Sequence, residues 1–539
     1  MRAATAGLWL LLGVLWLANL PLRPLFDPDE GRYAEIPREM AASGDWVTPT
    51  LNDLKYFEKP PLQYWATAAL YNVFGVHEWT ARLYAAIVAF LCIPLVYAFC
   101  RRIGYPSDRS VVAAALLAIN PYFAIAGQLN LLDQGFTFFL TAALFAFILA
   151  QRERDAPQKS GRWMLLTWAA LGLAVLSKGI VAMVLAGATL VAYVAVTREF
   201  ALLRRLHLTS GLPLFALITL PWFWLVQSRN PEFFQFFFIR EHVERFLTTI
   251  HDRVEPFWYF VPIVLIALLP VIGNLRSWRL ANIEGERTTG AFRTELFLLL
   301  WCLIVVALFS CSQSKLASYV LPVMPALAVV LARVTHAQAS AFARAKWISI
   351  GFLLLIAVGL AVVGWRRFAS LPVASLGWAI AGGLTCIGYL LFERFRPARG
   401  MARRWGALAA ATIVSYQILA VCYAATFPAR SGEVLVAEVV ADIRPDTKLY
   451  SVGQYRHSLA FYLRRPLSVY DYRGELDFGM HQSGLTGDGQ DRQSFLECGR
   501  GEANAVAFID PQTYELLTEA GMPGRIVARD AHSIVVART

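Results

Sequence analysis

Residues 60–76, PPLQYWATAALYNVFGV, decide how this chain is threaded. The run is apolar and aromatic, but it opens on two prolines and falls short of the about 20 apolar residues that cross a bilayer. Counting it as a span moves all the Arg and Lys clusters that follow to the face opposite the N-terminal Arg2. Reading it as an amphipathic helix lying on the surface keeps all of them on the side of Arg2, which is the arrangement that orientation requires.

Working outward by the same length rule, helices are expected at about 6–25, 80–100, 110–127, 131–150, 162–178, 179–197, 208–227, 256–274, 294–312, 316–335, 346–364, 372–392 and 405–425, about thirteen spans in all. One side then receives Arg101, Arg102 and Arg109; Arg152, Arg154, Lys159 and Arg162; Arg198, Arg204 and Arg205; Arg276, Arg279, Arg287 and Arg293; Arg333, Arg344 and Lys346; and Arg394, Arg396, Arg399, Arg403 and Arg404. That side is read as the cytoplasm. Loops 26–79 and 229–255 fall on the outer face. So do the turns carrying Asp133, Lys178 and Lys315.

Composition agrees with a polytopic membrane protein: 57% of residues are hydrophobic, 16% are charged, and the mean hydropathy is +0.50. An average soluble domain is about 25% charged. The net charge of +11 sits mostly in short connections between apolar runs, so nucleic acid is excluded as a partner. The seven cysteines are scattered without CxxC spacing, which predicts neither a disulfide framework nor a zinc knuckle. The N-terminal apolar run has no convincing cleavage site before Arg23 and is read as a retained first span. Beyond 427, strand-like runs (LYSVGQY, LSVYDY, AVAFID, SIVVAR) alternate with helix-like ones (SLAFYLRR, TYELLTEAG), which predicts a small soluble α/β domain over 428–539 following a membrane domain over 1–427.

The first outer loop, FDPDEGRYAEIPREMAASGDWVTPTLNDLKYFEKPP from Phe26 to Pro61, mixes eight carboxylates with Arg32, Arg38, Lys55 and Lys59 and with interleaved aromatics. A solvated loop is the plain alternative. Asp133 opens a span, where a carboxylate is favoured by the helix dipole or has a functional partner. Lys178 sits in a tight turn between apolar helices, as a snorkelling cation or a ligand contact. The later loop NPEFFQFFFIREHVERFLTTIHDRVEPFWYF joins a Phe run to Arg240, Glu241, His242, Glu244, Arg245, His251, Asp252 and Arg253, which suits an interfacial belt or a phosphate-bearing headgroup. Lys315 and Tyr319 in CSQSKLASYVLPVMP either bind phosphate and sugar hydroxyl or anchor a helix. Glu58 and His242 are a candidate ligand pair for a divalent metal, with no spacing logic behind them. The charges gather at one face rather than near the midplane, which favours an enzyme acting on a lipid over a pump.

DPDEGRYAE after the first span, YFEKPPLQYW about thirty residues on, an Asp at the next long outer turn and REHVERF later carry a resemblance. The chain resembles the polyprenyl-phosphate-sugar glycosyltransferases of the C fold (GT-C). Within them it is most similar to the bacterial 4-amino-4-deoxy-L-arabinose transferases that modify lipid A. The resemblance implies a bacterial inner-membrane enzyme with a periplasmic active site. It also implies undecaprenyl-phosphate-linked aminoarabinose as donor and a phosphate of lipid A as acceptor, giving resistance to polymyxin and cationic peptides. The family's first acid matches Asp29, with Glu30 beside it, and its second matches Asp133. Tyr56, Glu58 and Lys59 match the donor-phosphate motif, joined by Arg245 and Tyr319, with Arg32, Lys178 and Lys315 as further cations. No cofactor is required on this reading. Protein mannosyltransferases share the first acidic motif, so an enzyme acting on Ser or Thr hydroxyls is one alternative. A transporter of lipid-linked sugar is the other.

Overall fold

The computed structural model describes residues 2–245, 255–272, 292–335, 339–366, 374–472, 474–485, 490–502 and 504–538. His251, Asp252, Arg253, Arg276, Arg279 and Arg287 lie outside them. Two compact units divide the chain: residues 1–20, 58–63 and 83–426 form one, and residues 21–57, 64–82 and 427–539 the other.

The first unit is a helical bundle. Seven helices are long and apolar enough to cross a membrane, among the described residues: Glu78–Arg102, Asp133–Arg152, Leu208–Arg229, Thr294–Cys311, Ala339–Arg366, Ala374–Phe395 and Met401–Thr426. Four shorter apolar segments accompany them, Trp9–Leu22, Val181–Thr197, Phe260–Ile272 and Val323–Arg333. The count of about thirteen spans overlooks local breaks. The expected span 110–127 divides into Ser107–Ala118 and Pro121–Ala126, because the Asn120 side chain accepts the Phe123 N–H at 3.0 Å and Pro121 starts a new helix. The expected span 316–335 opens as a 3₁₀ turn, Ala317–Val320, and becomes α-helical only at Val323, after Pro322.

Some polar atoms inside the bundle are matched across helices. The Trp16 indole donates to the Ala86 carbonyl at 3.0 Å, and Gln417 donates to the Trp16 carbonyl at 2.8 Å. The rings of Phe99 and Phe145 stack with centroids 3.8 Å apart. The basic clusters meet at one end of the unit. Arg152 donates to the Ile103 carbonyl and to Thr294, each at 3.2 Å. Arg333 pairs with Glu295, and Arg404 pairs with Glu393 at 2.6 Å while its guanidinium lies 4.5 Å from the Phe342 ring.

In the second unit the acidic motif forms a helix, Asp29–Ser43, which stops at Gly44 in a left-handed conformation (φ 73°). Strands β1 (Thr50–Leu51) and β2 (Leu54–Lys55) pair antiparallel through Asn52 and Asp53, both at positive φ. Glu39 holds that turn, accepting from Thr50 Oγ1 and Asn52 N at 2.6 Å. Burial, reinforced by Glu35, pushes the Glu39 carboxyl up to about 8. The deciding segment is the helix Leu62–Phe74, 13 residues long, which at about 1.5 Å per residue is too short to cross about 30 Å of hydrocarbon.

The C-terminal part carries a five-stranded sheet of β3 (Lys448–Val452), β4 (Ser468–Tyr470), β5 (Ala505–Ile509), β6 (Arg525–Arg529) and β7 (Ile534–Arg538) in the order β4-β3-β5-β7-β6. β3 runs parallel to β4 and β5, and β7 runs antiparallel to β5 and β6. Tyr450, Val452, Phe495, Ile509 and Leu517 form its core. Gly31, in the acidic helix, packs so tightly on the start of the His457–Leu463 helix that a Cβ there would lie 2.5 Å from the Ser458 amide nitrogen. Gly31→Ala is expected to destabilise the protein by about 1–3 kcal/mol, read as a lower melting temperature. Gly388→Ala, whose Cβ meets nothing within 4 Å in a helix, is expected to leave it unchanged or raise it.

Candidate functional site

The two halves of the first outer loop fall in different units, and the chain passes between them at the Phe57–Glu58 peptide. In the second unit, adjacent acids on the Asp29–Ser43 helix have different surroundings. Glu30 is buried and both of its oxygens are taken: Arg82, itself fully buried, donates at 2.7 and 3.0 Å, and the Phe26 amide at 3.1 Å. Arg82 also donates to the carbonyls of Arg23 and Pro24. Asp29 keeps 42% of its side chain exposed and pairs with Arg32. The buried Arg32 guanidinium also donates to the Tyr56 hydroxyl at 3.1 Å and to Glu475. Glu475 in turn meets Nε2 of His457. Burial, with the Arg32 charge beside it, holds the His457 imidazole well below its ordinary pKa, so it stays neutral.

In the first unit Asp133 opens the Asp133–Arg152 helix and Lys178 closes Pro157–Lys178, ends at which the helix dipole favours an acid and a base respectively. The two side chains form an ion pair. The Lys178 ammonium also lies 4.4 Å from the Tyr319 ring centroid, and the Tyr319 hydroxyl accepts from Arg245 at 3.3 Å. Arg245 pairs with Glu241 at 2.7 Å and faces Glu58 at 3.7 Å. It is carried just past a π-helical stretch, Gln235–Glu244, a wide turn of the kind found at functional sites.

Lys59 donates to the Glu58 carbonyl at 2.9 Å, while Glu241 stands 3.9 Å away. Burial, with the nearby Arg245 charge, pulls the Lys59 ammonium down to about 8. A buried ammonium held at such arm's length from a carboxylate gains most from an arriving anion. Gln63 and Asn130 join the EKPP segment to the Asp133 turn by a 2.9 Å hydrogen bond.

Asp133, Lys178, Glu58, Lys59, Arg245 and Tyr319 are therefore gathered in one unit, and Asp29, Glu30, Arg32 and Tyr56 in the other. Lys315 is buried and donates to the Ser312 carbonyl at 2.6 Å, capping the end of Thr294–Cys311. Burial holds the His242 imidazole near 4, so it is neutral, and its Nδ1 donates to the Phe237 carbonyl at 2.6 Å. That tautomer leaves Nε2 able to ligate, but Glu58 is turned to Arg245. Among the described residues no three of His, Cys, Asp and Glu gather as a metal cage.

Sequence reading missed Arg82, Glu475 and His457. Arg82 had a signal, a lone charge inside an apolar helix. Glu475 and His457 had none, because only the fold brings them to Arg32.

Family models match the chain twice: residues 7–237 as dolichyl-phosphate-mannose-protein mannosyltransferase and residues 435–538 as the aminoarabinose transferase C-terminal domain. An undecaprenyl phosphate-α-4-amino-4-deoxy-L-arabinose arabinosyl transferase of Edwardsiella ictaluri is 30% identical over 88% of this chain and 87% of its own length. One from Pseudomonas fluorescens is 30% identical over 89% and 82%. The crystal structure of ArnT from Cupriavidus metallidurans bound to undecaprenyl phosphate superimposes with a TM-score of 0.85 at 32% identity, covering 100% of this chain and 99% of that one.

The Asp133–Lys178 pair makes its own prediction. Asp133→Ala leaves a nearly buried ammonium without its carboxylate and is expected to cost about 3–5 kcal/mol, read as a large drop in melting temperature. Adding Lys178→Met should recover most of that stability.

Proposed function

The chain belongs to the family of undecaprenyl phosphate-α-4-amino-4-deoxy-L-arabinose arabinosyl transferases, and from that premise we propose that it moves 4-amino-4-deoxy-L-arabinose from undecaprenyl phosphate to a phosphate of lipid A. It is a multi-span membrane protein with the GT-C fold. We place it in the bacterial inner membrane, with the Asp133–Lys178 end of the bundle and the 428–539 domain in the periplasm, because the Arg and Lys clusters gather at the other end. The added sugar is cationic and masks an anionic phosphate, which weakens the binding of polymyxin and other cationic peptides.

The observation that carries the reading is the cation cluster of Arg245 and Lys178 at Tyr319, with Lys59 close enough to feel both charges. In the transfer, an oxygen of the acceptor phosphate bonds to the anomeric carbon as the bond from that carbon to the donor phosphate oxygen breaks. The electron pair leaves with undecaprenyl phosphate. Lys59 and Arg245 neutralise the charge that grows on the leaving phosphate, with Tyr319 as a hydroxyl contact. A phosphate acceptor is already ionised near neutral pH, so no general base is needed. Asp29, the exposed acid of its pair, stabilises positive charge at the anomeric carbon or meets the sugar's ammonium, and Glu30 anchors the helix that presents it. Asp133 fixes Lys178. A hydroxyl acceptor, as in the mannosyltransferases, would need a base, and a transporter would leave the donor uncleaved.

Reconstituted protein given labelled donor and lipid A tests this directly. Transfer of label to lipid A is expected, and Asp29→Asn should lower the rate by about 100-fold or more. Near wild-type transfer by that variant would overturn the role of Asp29. Because Lys59 loses its proton near 8, kcat/KM for the donor should fall as pH rises through about that value. Lys59→Arg should move the fall to higher pH. If a divalent ion joins the side chains, Glu58 and His242 would hold it. Unchanged transfer after dialysis against EDTA would leave the neutralising charge to Lys59 and Arg245, whereas a loss restored by a divalent ion would add one.

A further inference from the structure

We propose that an apolar slot at the basic end of the bundle holds one acyl chain of an anionic phospholipid, drawn from the leaflet opposite the Asp133–Lys178 pair. The slot is about 290 Å³ and lies among the helices Arg2–Leu17, Glu78–Arg102, Ser107–Ala118 and Met401–Thr426. Trp9, Phe90, Ile93, Tyr97, Ala114 and Gly406 line it. Its walls offer hydrocarbon contacts rather than hydrogen bonds, so it suits a lipid tail better than water. It is open space: a Cβ built on Gly406 meets nothing within 4 Å.

The polar groups collect at one mouth. The Tyr97 hydroxyl and Ser107 Oγ lie 3.4 Å apart at the exposed edge, and the rings of Trp9 and Tyr97 are 5.7 Å apart. Trp and Tyr in that position mark the depth of lipid headgroups. From Tyr97 to Phe90 the slot follows one helix face inward for about 10 Å. Arg101 stands one turn beyond Tyr97, with Arg102 next to it, and Arg403 lies just before Gly406; all three are exposed. Among the described residues Asp108 stands beside Ser107, and Glu393 is taken up by Arg404, so the mouth keeps a positive balance and complements a phosphate-bearing, anionic headgroup.

The slot is remote from the chemistry. Arg152 donates to the Ile103 carbonyl, which sets the end of the Asp133–Arg152 helix beside this mouth. Asp133 starts that 20-residue helix, about 30 Å away along its axis. The occupant is therefore a membrane lipid of the opposite leaflet and not the sugar donor.

The test uses the full chain in nanodiscs of phosphatidylcholine containing phosphatidylglycerol, released into detergent and weighed by native mass spectrometry. The wild type should keep one phosphatidylglycerol per chain, and added phosphatidylglycerol should raise its melting temperature. Gly406→Leu, which grows into open space, should lose both the bound lipid and the shift. Arg101→Gln with Arg102→Gln should keep a bound lipid but lose the preference for phosphatidylglycerol over phosphatidylcholine. Equal retention by Gly406→Leu and wild type, equal retention of the two lipids by wild type, or undecaprenyl phosphate in place of phospholipid would each overturn the proposal.

Discussion

A guanidinium withdrawn from water must be given a carboxylate, and the pairing of Arg82 with Glu30 meets that demand at the place where the acidic motif begins. Both partners are buried, and Arg82 reaches on to the carbonyls of Arg23 and Pro24. The pair therefore fixes the start of the Asp29–Ser43 helix against the chain that enters it. With Glu30 so held, the adjacent Asp29 is turned to the open side, where Arg32 steadies it. Two neighbouring acids thus acquire different surroundings: one is closed off by its partners, and the other stays partly exposed.

The same rule orders the membrane unit. Between its two ends the described helices carry few charges. At one end Asp133 and Lys178 close a pair beside Tyr319, and Arg245 shares Glu241 with the more distant Lys59. At the other end Arg152, Arg333 and Arg404 are tied to the turns of neighbouring helices. A bundle built this way holds polar chemistry at its faces and leaves its middle to lipid.

Much of this was legible in the sequence because it depends on length and charge. Residues 60–76 were too short to span, and the helix Leu62–Phe74 confirms that length. The alternation of strand-like and helix-like runs after 427 marked the α/β domain. Breaks made by single residues were harder to see: Asn120 and Pro121 interrupt a run whose hydropathy is continuous. Site contacts that cross long sequence distances were not legible at all. Nothing in the spacing of Glu475 or His457 pointed to Arg32, since only tertiary packing joins them. Lys315 read either as a phosphate ligand or as a helix anchor, and spacing could not choose between them; its ammonium donates to the carbonyl at a helix end.

The central claim is that this chain adds a cationic aminopentose to lipid A, and the mass of lipid A tests it most directly. Lipid A from cells lacking and carrying the chain, in a background that makes the undecaprenyl phosphate donor, should differ by the mass of one or more aminopentose units on its phosphates. Lipid A of unchanged mass in cells that carry the protein and the donor, or a gain equal to a hexose, would contradict the account.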